Sequence, residues 1–273
     1  MTLASRRETY MDRWLGLMIG NSRLHWAYYR SVDSEQRILQ TWDSPHLRAV
    51  ETSGSGHSVK PWTQELPPEL SHVLAESPPL PLRIASVVPD QTQYWSRYPN
   101  IRWITLKDIP LENLYATLGI DRALAALGAW HHHRTSVLVI DGGTALTLTG
   151  VGTNGALIGG AIMPGLRLQL RSLHHHTAAL PDTALAQFPL SRWQTNTTDA
   201  IRSGVWHSLV AGVESFIEDW LATYPHSTIV FTGGDGQRLW KGRMDAIASQ
   251  ESATSIYDPH VIFKGMAAID LSA

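Results

Sequence analysis

Four consecutive residues, Asp141, Gly142, Gly143 and Thr144, combine groups that can hold an anion with a group that can hold a cation. They follow the apolar run 136–140 and precede a Thr-rich alternating run, a pattern that predicts a β-hairpin with these four residues as its turn. Asp-Gly and Gly-Gly favour tight hairpin turns because they accept positive φ. Glycine amides can approach an anion closely, Thr144 adds a hydroxyl, and Asp141 can hold a cation. These are the parts of a nucleotide phosphate site, although this stretch alone also fits an ordinary hairpin.

Two further segments repeat the pattern of a strand followed by glycine. Near the N-terminus, the turn of a predicted hairpin offers the Gly20 and Asn21 backbone, the Ser22 hydroxyl and the Arg23 cation to a phosphate. Taken without its partners, this turn also fits a plain polar hairpin. Near the C-terminus, the predicted strand 228–232 ends in Gly233 and Gly234, which would let an adenosine approach closely. Asp235 is a weaker candidate for a contact with the nucleotide ribose.

The three glycine turns, in this order and at this spacing, resemble the phosphate-1, phosphate-2 and adenosine motifs of the acetate kinase/sugar kinase/Hsp70/actin superfamily. Residues 115–125, with the sequence Tyr-Ala-Thr-Leu-Gly-Ile-Asp-Arg-Ala-Leu-Ala, resemble the Leu-Gly-x-Asp-Arg segment of type III pantothenate kinases. Residues 159–165 and 196–204 resemble segments of the same family. The resemblance covers residues 15 to 271, and the combination of motifs is specific although each motif alone is not.

The resemblance implies transfer of the ATP γ-phosphate to the 4′-hydroxyl of pantothenate, the first step of coenzyme A synthesis. It gives Asp121 the role of general base and Arg122 the role of holding the substrate carboxylate. It implies pantothenate contacts from the residues Tyr115, Gly119, Ile120, Asp121, Arg122 and Thr197. From the residues alone, Asp121 also fits a helix N-cap, Arg122 a surface cation and Thr197 a helix cap.

The resemblance also implies Mg²⁺ with ATP, a potassium or ammonium ion with Asp141 as its ligand, and a homodimer. One position departs from the pattern, because most kinases of the superfamily have an aspartate where this chain has Met18. A thioether is a poor ligand for a hard cation. An inactive paralogue or a nucleotide-binding regulator is therefore the alternative function, and a kinase of another acceptor, a sugar or a small acid, is a further one.

The composition argues against several classes of protein. The 273 residues carry a formal net charge of −2, which gives no basic footprint for nucleic acid. The absence of cysteine excludes disulfides and cysteine–zinc sites and suits a cytoplasmic protein. No apolar run approaches the roughly 20 residues of a membrane helix, and residues 1–13 lack the apolar region of a secretory signal. The histidine triplets 131–133 and 174–176 are expected at solvated helix ends rather than in a metal site, because consecutive residues do not share one face.

Strands and helices alternate along the chain, which predicts an α/β protein. Strands are expected over 15–29 as a hairpin and over 38–42, 82–88, 101–106, 136–149 as a hairpin, 156–163 and 228–232. Helices are expected over 62–76, 90–98, 121–130, 166–174, 200–224, 239–247 and 261–269. The resemblance implies two actin-like (ribonuclease H-like) subdomains with a nucleotide cleft between them. The predicted division is an N-terminal extension over 1–14, an N-terminal subdomain over 15–130 and a C-terminal subdomain over 131–273.

Overall fold

The computed structural model describes residues 12–33, 35–47, 79–96, 98–184, 191–246 and 254–269. These residues form two compact units. Unit 1 takes its described residues from Met1–Ile109, Ala116–Leu124 and Met266–Ala273. Unit 2 takes its described residues from Pro110–Tyr115 and Ala125–Gly265. The boundary between residues 130 and 131 remains a prediction, and the compact units draw segments from both sides of it.

Unit 1 contains a mixed five-stranded sheet. Its strands are β1 (Arg13–Ile19), β2 (Leu24–Val32), β3 (Glu35–Ser44), β4 (Leu82–Ser86) and β5 (Ile101–Trp103). Their spatial order is β3-β2-β1-β4-β5, with antiparallel pairing through β1, β2 and β3 and parallel pairing through β1, β4 and β5. The central strand β1 is buried from residue 14 to residue 19, as its near-continuous apolar sequence predicts.

Unit 2 contains a second five-stranded sheet with the same arrangement. Its strands are β6 (Val137–Gly142), β7 (Ala145–Val151), β8 (Leu157–Pro164), β9 (Thr228–Thr232) and β10 (Thr254–Tyr257). The order β8-β7-β6-β9-β10 repeats the order of the first sheet, and so does the sense of every pairing. Each sheet therefore has a central strand that enters a glycine-containing hairpin turn.

Six α-helices accompany these sheets within the described residues. They are α1 (Pro89–Thr92), α2 (Ile120–His133), α3 (Leu166–His175), α4 (Thr197–Thr223), α5 (Gly236–Ala246) and α6 (Val261–Ala268). The longest, α4, buries Val205, Leu209, Val213 and Ile217 at four-residue intervals, which places them on one face of the helix. This face shares a core with Leu138, Ile140, Leu146 and Leu148 of the sheet. Each such fully buried side chain stabilises the fold by about 1.5–3 kcal/mol.

Most predicted elements are confirmed, with shifted ends. The strand expected over 101–106 is shorter because residues 106–108 form a 3₁₀ turn, in which Thr105 and Asp108 make a capping box. Strand β10 was not predicted, since its four residues lack an apolar run long enough to be recognised. The helix predicted over 62–76 and most of the N-terminal extension lie outside the described residues, and β1 begins at Arg13.

Candidate active site

The β1–β2 turn of unit 1 contains the first set of residues predicted to bind phosphate, Gly20 to Arg23. The Gly20 amide donates to the Arg23 carbonyl at 3.1 Å and closes the turn. Asn21, Ser22 and Arg23 are exposed, whereas Gly20 is half-buried. His46 Nε2 lies 2.8 Å from the Gly20 carbonyl, and because a carbonyl can only accept, Nε2 carries the proton. The turn is thus fixed on its inner side and open to a ligand on its polar side.

Met18 lies in β1 just before this turn and is 1% exposed. Its counterpart in the second sheet is Asp141, since each residue lies in the central strand two positions before a turn glycine. The repeated strand order is consistent with the resemblance, in which position 18 is the one that most kinases of the superfamily fill with an aspartate. A buried thioether supplies no oxygen ligand for Mg²⁺.

A charged cluster that the sequence did not indicate lies beside the same turn. Asp43 on β3 contacts His25 Nδ1 at 2.7 Å through one oxygen and Arg23 at 3.2 Å through the other. The hydrogen bond from His25 is the largest cause, and it lowers the pKa of Asp43 from its usual value against the opposing effect of burial. The electrostatic attraction of His25, and then the hydrogen bond and charge of Arg23, lower this pKa further. Asp43 is therefore ionised at neutral pH.

The N-terminus of α2 carries the residues expected to bind and activate the acceptor. The helix begins at Ile120, so Asp121 is its second residue and not its N-cap. Asp121 Oδ1 accepts the Arg122 amide at 2.8 Å, which satisfies one of the first-turn donors and fixes the carboxylate orientation. A Cβ on Gly119 would overlap this same carboxylate oxygen. Arg122 is 7% exposed, so the alternative of a surface cation is wrong.

Two glycine turns meet in unit 2 at the carboxyl ends of neighbouring parallel strands. Asp141 of β6 is paired with Thr232 of β9, and the Asp235 amide donates to the Gly142 carbonyl at 2.8 Å. A Cβ on Gly233 would overlap Asp141 Oδ1 and lie 2.9 Å from the Gly142 carbonyl oxygen. The structure thus brings the predicted second phosphate turn and the predicted adenosine turn together at the carboxyl ends of two parallel strands, where α/β proteins bind ligands.

The reason for the glycines differs from the one predicted. Gly142 and Gly143 do not adopt positive φ, whereas Gly233 does, at 83°. Gly142 is required for close approach, because a Cβ there would lie 2.9 Å from the Gly236 amide nitrogen. A Cβ on Gly234 would meet no atom within 4 Å, so this glycine faces open space.

Asp235 is a poor candidate for a ribose contact. It lies just before α5, is 5% exposed and pairs with Arg238 of that helix at 2.7 Å. The carboxylate is therefore already engaged by an arginine.

Thr197 is the first residue of α4, and the Asn196 side chain caps the helix by accepting the Asp199 amide at 2.9 Å. The alternative that Thr197 is itself the cap is therefore wrong. Thr197 lines an open cavity of about 670 Å³. Other lining residues include Leu173, Leu180, Gln194, Ile201 and Ser208. The mixture of apolar and uncharged polar groups suits a small organic ligand.

Tyr115 ends the short segment Pro110–Tyr115, which belongs to unit 2, and its side chain is 44% exposed. Nearby in the same segment, the Glu112 amide donates to the Gly155 carbonyl at 3.0 Å, which anchors the segment beside β8. Gly119, Ile120, Asp121 and Arg122 belong to unit 1, whereas Tyr115 and Thr197 belong to unit 2. The residues expected to bind pantothenate are therefore divided between the two units.

Both histidine triplets lie at helix ends, as predicted. Residues 131–133 end α2, and His174 and His175 end α3. Across the described part of the chain, no three His, Asp or Glu side chains are arranged to hold a metal ion.

The charged cluster of Arg23, His25 and Asp43 could not be recognised from the sequence. His25 is a polar residue between the apolar Leu24 and Trp26, and Asp43 is the last residue but one of β3. Only the register of β1, β2 and β3 brings the two side chains to the glycine turn.

Comparison with known proteins identifies a matching family, a similar sequence and two similar structures. The sequence profile of the family described as "type III pantothenate kinase" matches residues 14–219. A type III pantothenate kinase of Nostoc sp. is 43% identical over 268 residues, which cover 94% of each chain. Among solved structures, a Baf family protein of Campylobacter jejuni, described as a transcriptional activator, aligns with a TM-score of 0.57 at 21% identity and covers 92% of this chain and 94% of that one.

A Sinorhizobium meliloti protein described as a 2-dehydro-3-deoxygalactonokinase aligns with a TM-score of 0.56 at 14% identity, covering 93% of this chain and 95% of the other. At these identities the two structural likenesses concern the fold alone. With the two mixed sheets, they confirm the predicted α/β fold of two actin-like (ribonuclease H-like) subdomains.

Proposed function

The chain belongs to the type III pantothenate kinase family, and on that premise we propose that it transfers the γ-phosphoryl group of ATP to the 4′-hydroxyl of pantothenate. This reaction is the first step of coenzyme A synthesis. One structural observation carries the proposal on the nucleotide side. The glycine turns of β6 and β9 pack against each other at the carboxyl ends of parallel strands, through the Asp235 amide and the Gly142 carbonyl.

The nucleotide residues keep the roles predicted for them. Gly143 and Thr144 hold phosphates in unit 2, and Gly20, Asn21, Ser22 and Arg23 hold phosphates in unit 1. Gly233 and Gly234 admit the adenosine, and the open space at Gly234 supports this role. Phosphoryl transfer needs positioning and charge stabilisation more than covalent chemistry, so backbone amides and one cation suit the task.

The acceptor residues are those at the start of α2. Asp121 accepts the proton of the pantothenate hydroxyl as its oxygen attacks the γ-phosphate. The Arg122 amide holds Oδ1 of this carboxylate at 2.8 Å, so its orientation is set before the substrate arrives. Arg122 binds the pantothenate carboxylate, and Tyr115, Gly119, Ile120 and Thr197 make further substrate contacts. The cavity beside Thr197 supports its assignment.

A divalent cation accompanies ATP in a kinase, and we propose Mg²⁺. Mg²⁺ is held largely by substrate phosphates and water, so it needs few protein ligands. We also propose a potassium or ammonium ion at Asp141. The donors fit such an ion, because a carboxylate oxygen and the Gly142 carbonyl lie side by side at the turn. When bound, the monovalent ion supplies positive charge near the phosphates.

Other features of the predicted protein remain proposals: a homodimer, a cytoplasmic location and the absence of a nucleic-acid partner. No helix in the described ranges is both long and apolar enough to span a membrane. The Nostoc relative is named as a kinase, which favours catalysis over the alternative of a nucleotide-binding regulator.

The test is a coupled ADP-release assay with pantothenate, ATP, Mg²⁺ and potassium. Pantothenate-dependent turnover is expected in the parent and should fall about 10²–10⁴-fold in Asp121→Asn. Asp90→Asn is the matched control, since Asp90 is an exposed second residue of another helix, α1. Turnover that survives in Asp121→Asn would remove Asp121 as the base. A parent that binds ATP without turnover would refute the kinase and favour the regulator.

A further inference from the structure

A row of side chains crosses the sheet of unit 1 beside the phosphate turn. Met18 of β1 is the register partner of His25 of β2, and His25 is the partner of Asp43 of β3. Partners on neighbouring strands project from the same face of a sheet. A carboxylate that is absent from position 18 is therefore present two strands away on the same face, with an imidazole between them.

The proton between His25 and Asp43 can be assigned from the chemistry of the two groups. His25 Nδ1 lies 2.7 Å from Asp43 Oδ1, and Arg23 donates to Oδ2 at 3.2 Å. An ionised carboxylate only accepts hydrogen bonds, so Nδ1 carries a proton. Because Nδ1 is committed to Asp43, Nε2 is the nitrogen that can meet a ligand.

The ring of His25 is aimed at the turn. Its Nε2 and Cδ2 atoms lie 3.2 Å and 3.3 Å from the place that a Cβ on Gly20 would occupy. The side chain keeps 39% of its surface exposed, so a ligand can reach it. Gly20 therefore leaves room for the imidazole edge beside the backbone that is expected to approach the phosphates.

We propose that His25 is a phosphate-binding residue and that Asp43 is its positioning residue. Resting on the proposed function, this inference places a phosphate oxygen of ATP on His25 Nε2. Nε2 donates to that oxygen when both ring nitrogens carry protons, because only the doubly protonated imidazolium has two donors. On this proposal, unit 1 holds the phosphates with the cationic side chains of Arg23 and His25. A carboxylate at position 18 would instead bind the metal ion.

A purely structural role makes a different prediction. The Arg23 and Asp43 side chains are 53% and 46% exposed. Exposed ion pairs of this kind contribute little to stability. If the cluster served only the fold, removing His25 would leave ATP affinity unchanged.

The experiment measures the Kd of ATP by isothermal titration calorimetry, which needs no turnover, and the KM of ATP and of pantothenate by ADP release. His25→Ala should raise the Kd and KM of ATP about 10- to 100-fold, the usual effect of losing a charge-assisted hydrogen bond. The KM of pantothenate should not change. His25→Gln, which retains a neutral donor, should fall between the parent and His25→Ala.

Asp43→Asn tests positioning. It should raise the Kd of ATP less than His25→Ala does, because an amide oxygen can still accept from Nδ1. Added to His25→Ala, it should have almost no further effect, since the two residues act as one unit. Full additivity in the double variant would refute the coupling.

His226→Ala is the control, because His226 is an exposed histidine distant in sequence from the turn. The inference is overturned if His25→Ala keeps the Kd of ATP within about twofold of the parent, or shifts it no more than the control does. It is also overturned if the parent does not bind ATP. A parent that binds ATP through His25 but does not phosphorylate pantothenate would refute the proposed reaction and leave the phosphate contact standing.

Discussion

Gly233→Ala should destabilise unit 2, because two separate features of this position reject a side chain. Its φ of 83° lies in the left-handed region, which costs an alanine about 1–2 kcal/mol. The new Cβ would also overlap Asp141 Oδ1 and crowd the Gly142 carbonyl, and relieving that contact through the backbone costs about 1–3 kcal/mol. Alanine also lowers the conformational entropy of the unfolded chain, which offsets this loss by stabilising the fold by about 0.4–1 kcal/mol. We expect a net loss of about 1–4.6 kcal/mol in the free energy of unfolding.

Gly234→Ala is the matched control, since it adds the same methyl group one residue later. Its Cβ would meet no atom within 4 Å, and its φ is not in the left-handed region. We expect it to be neutral or stabilising by up to about 1 kcal/mol. Urea unfolding would measure both variants, and hydrogen exchange of the β6 and β9 amides would show whether the loss in Gly233→Ala arises at this turn.

The same pair of variants separates packing from ligand binding. Gly234→Ala puts a methyl group into the space assigned to adenosine, so the Kd of ATP should rise while stability is preserved. Gly233→Ala should in addition weaken activation by potassium, because it displaces the Asp141 carboxylate. If the two variants unfold within about 0.5 kcal/mol of each other, the packing of the two turns described above is refuted.

Two further predictions concern stability. Asn196→Ala removes the acceptor of the Asp199 amide and should lower the free energy of unfolding by about 1 kcal/mol, measured by urea unfolding, while Asn196→Ser should retain most of it. Burial, helped by neighbouring positive charge, lowers the pKa of His131 and His133 from 6.5, so the unfolded chain binds protons that the fold does not. Stability should therefore fall as the pH drops through 6.5 towards the folded pKa values. The free energy of unfolding of a double His→Gln variant at 131 and 133 should fall less steeply with pH over the same range. Equal slopes for the parent and the variant would contradict this reasoning.

The sequence was sufficient to predict those elements whose apolar residues recur at the regular spacing of a strand or a helix. The apolar run before Asp141 and the alternation after Thr144 predicted the β6–β7 hairpin, and four-residue spacing predicted α4. The reason for glycine at 142 could not be predicted, because it depends on the approach of the segment after β9, more than eighty residues away along the chain.

The charged cluster of unit 1 shows the same limit. His25 and Asp43 are separated by eighteen residues, and only the pairing of β2 with β3 makes them neighbours. Arg122 gives a related case, since a cation at the start of a helix is usually exposed, whereas here tertiary packing buries it. Pattern along a chain predicts elements, but the contacts between elements decide which polar groups share a site.

The repeated strand order of the two sheets gives the chain redundancy. Equivalent hairpins occur twice, and a chemical group that one of them supplies need not be supplied by the other. On the proposed function, Asp141 supplies the carboxylate, so position 18 does not need an acidic side chain and can be filled for packing alone. A buried methionine there stabilises the fold by about 1.5–3 kcal/mol relative to exposure, whereas an unpaired buried carboxylate would weaken it. On the proposed function, the β1–β2 turn offers cationic side chains to the phosphates and the β6–β7 turn offers the Asp141 carboxylate to a cation, although both turns lie on the same type of sheet.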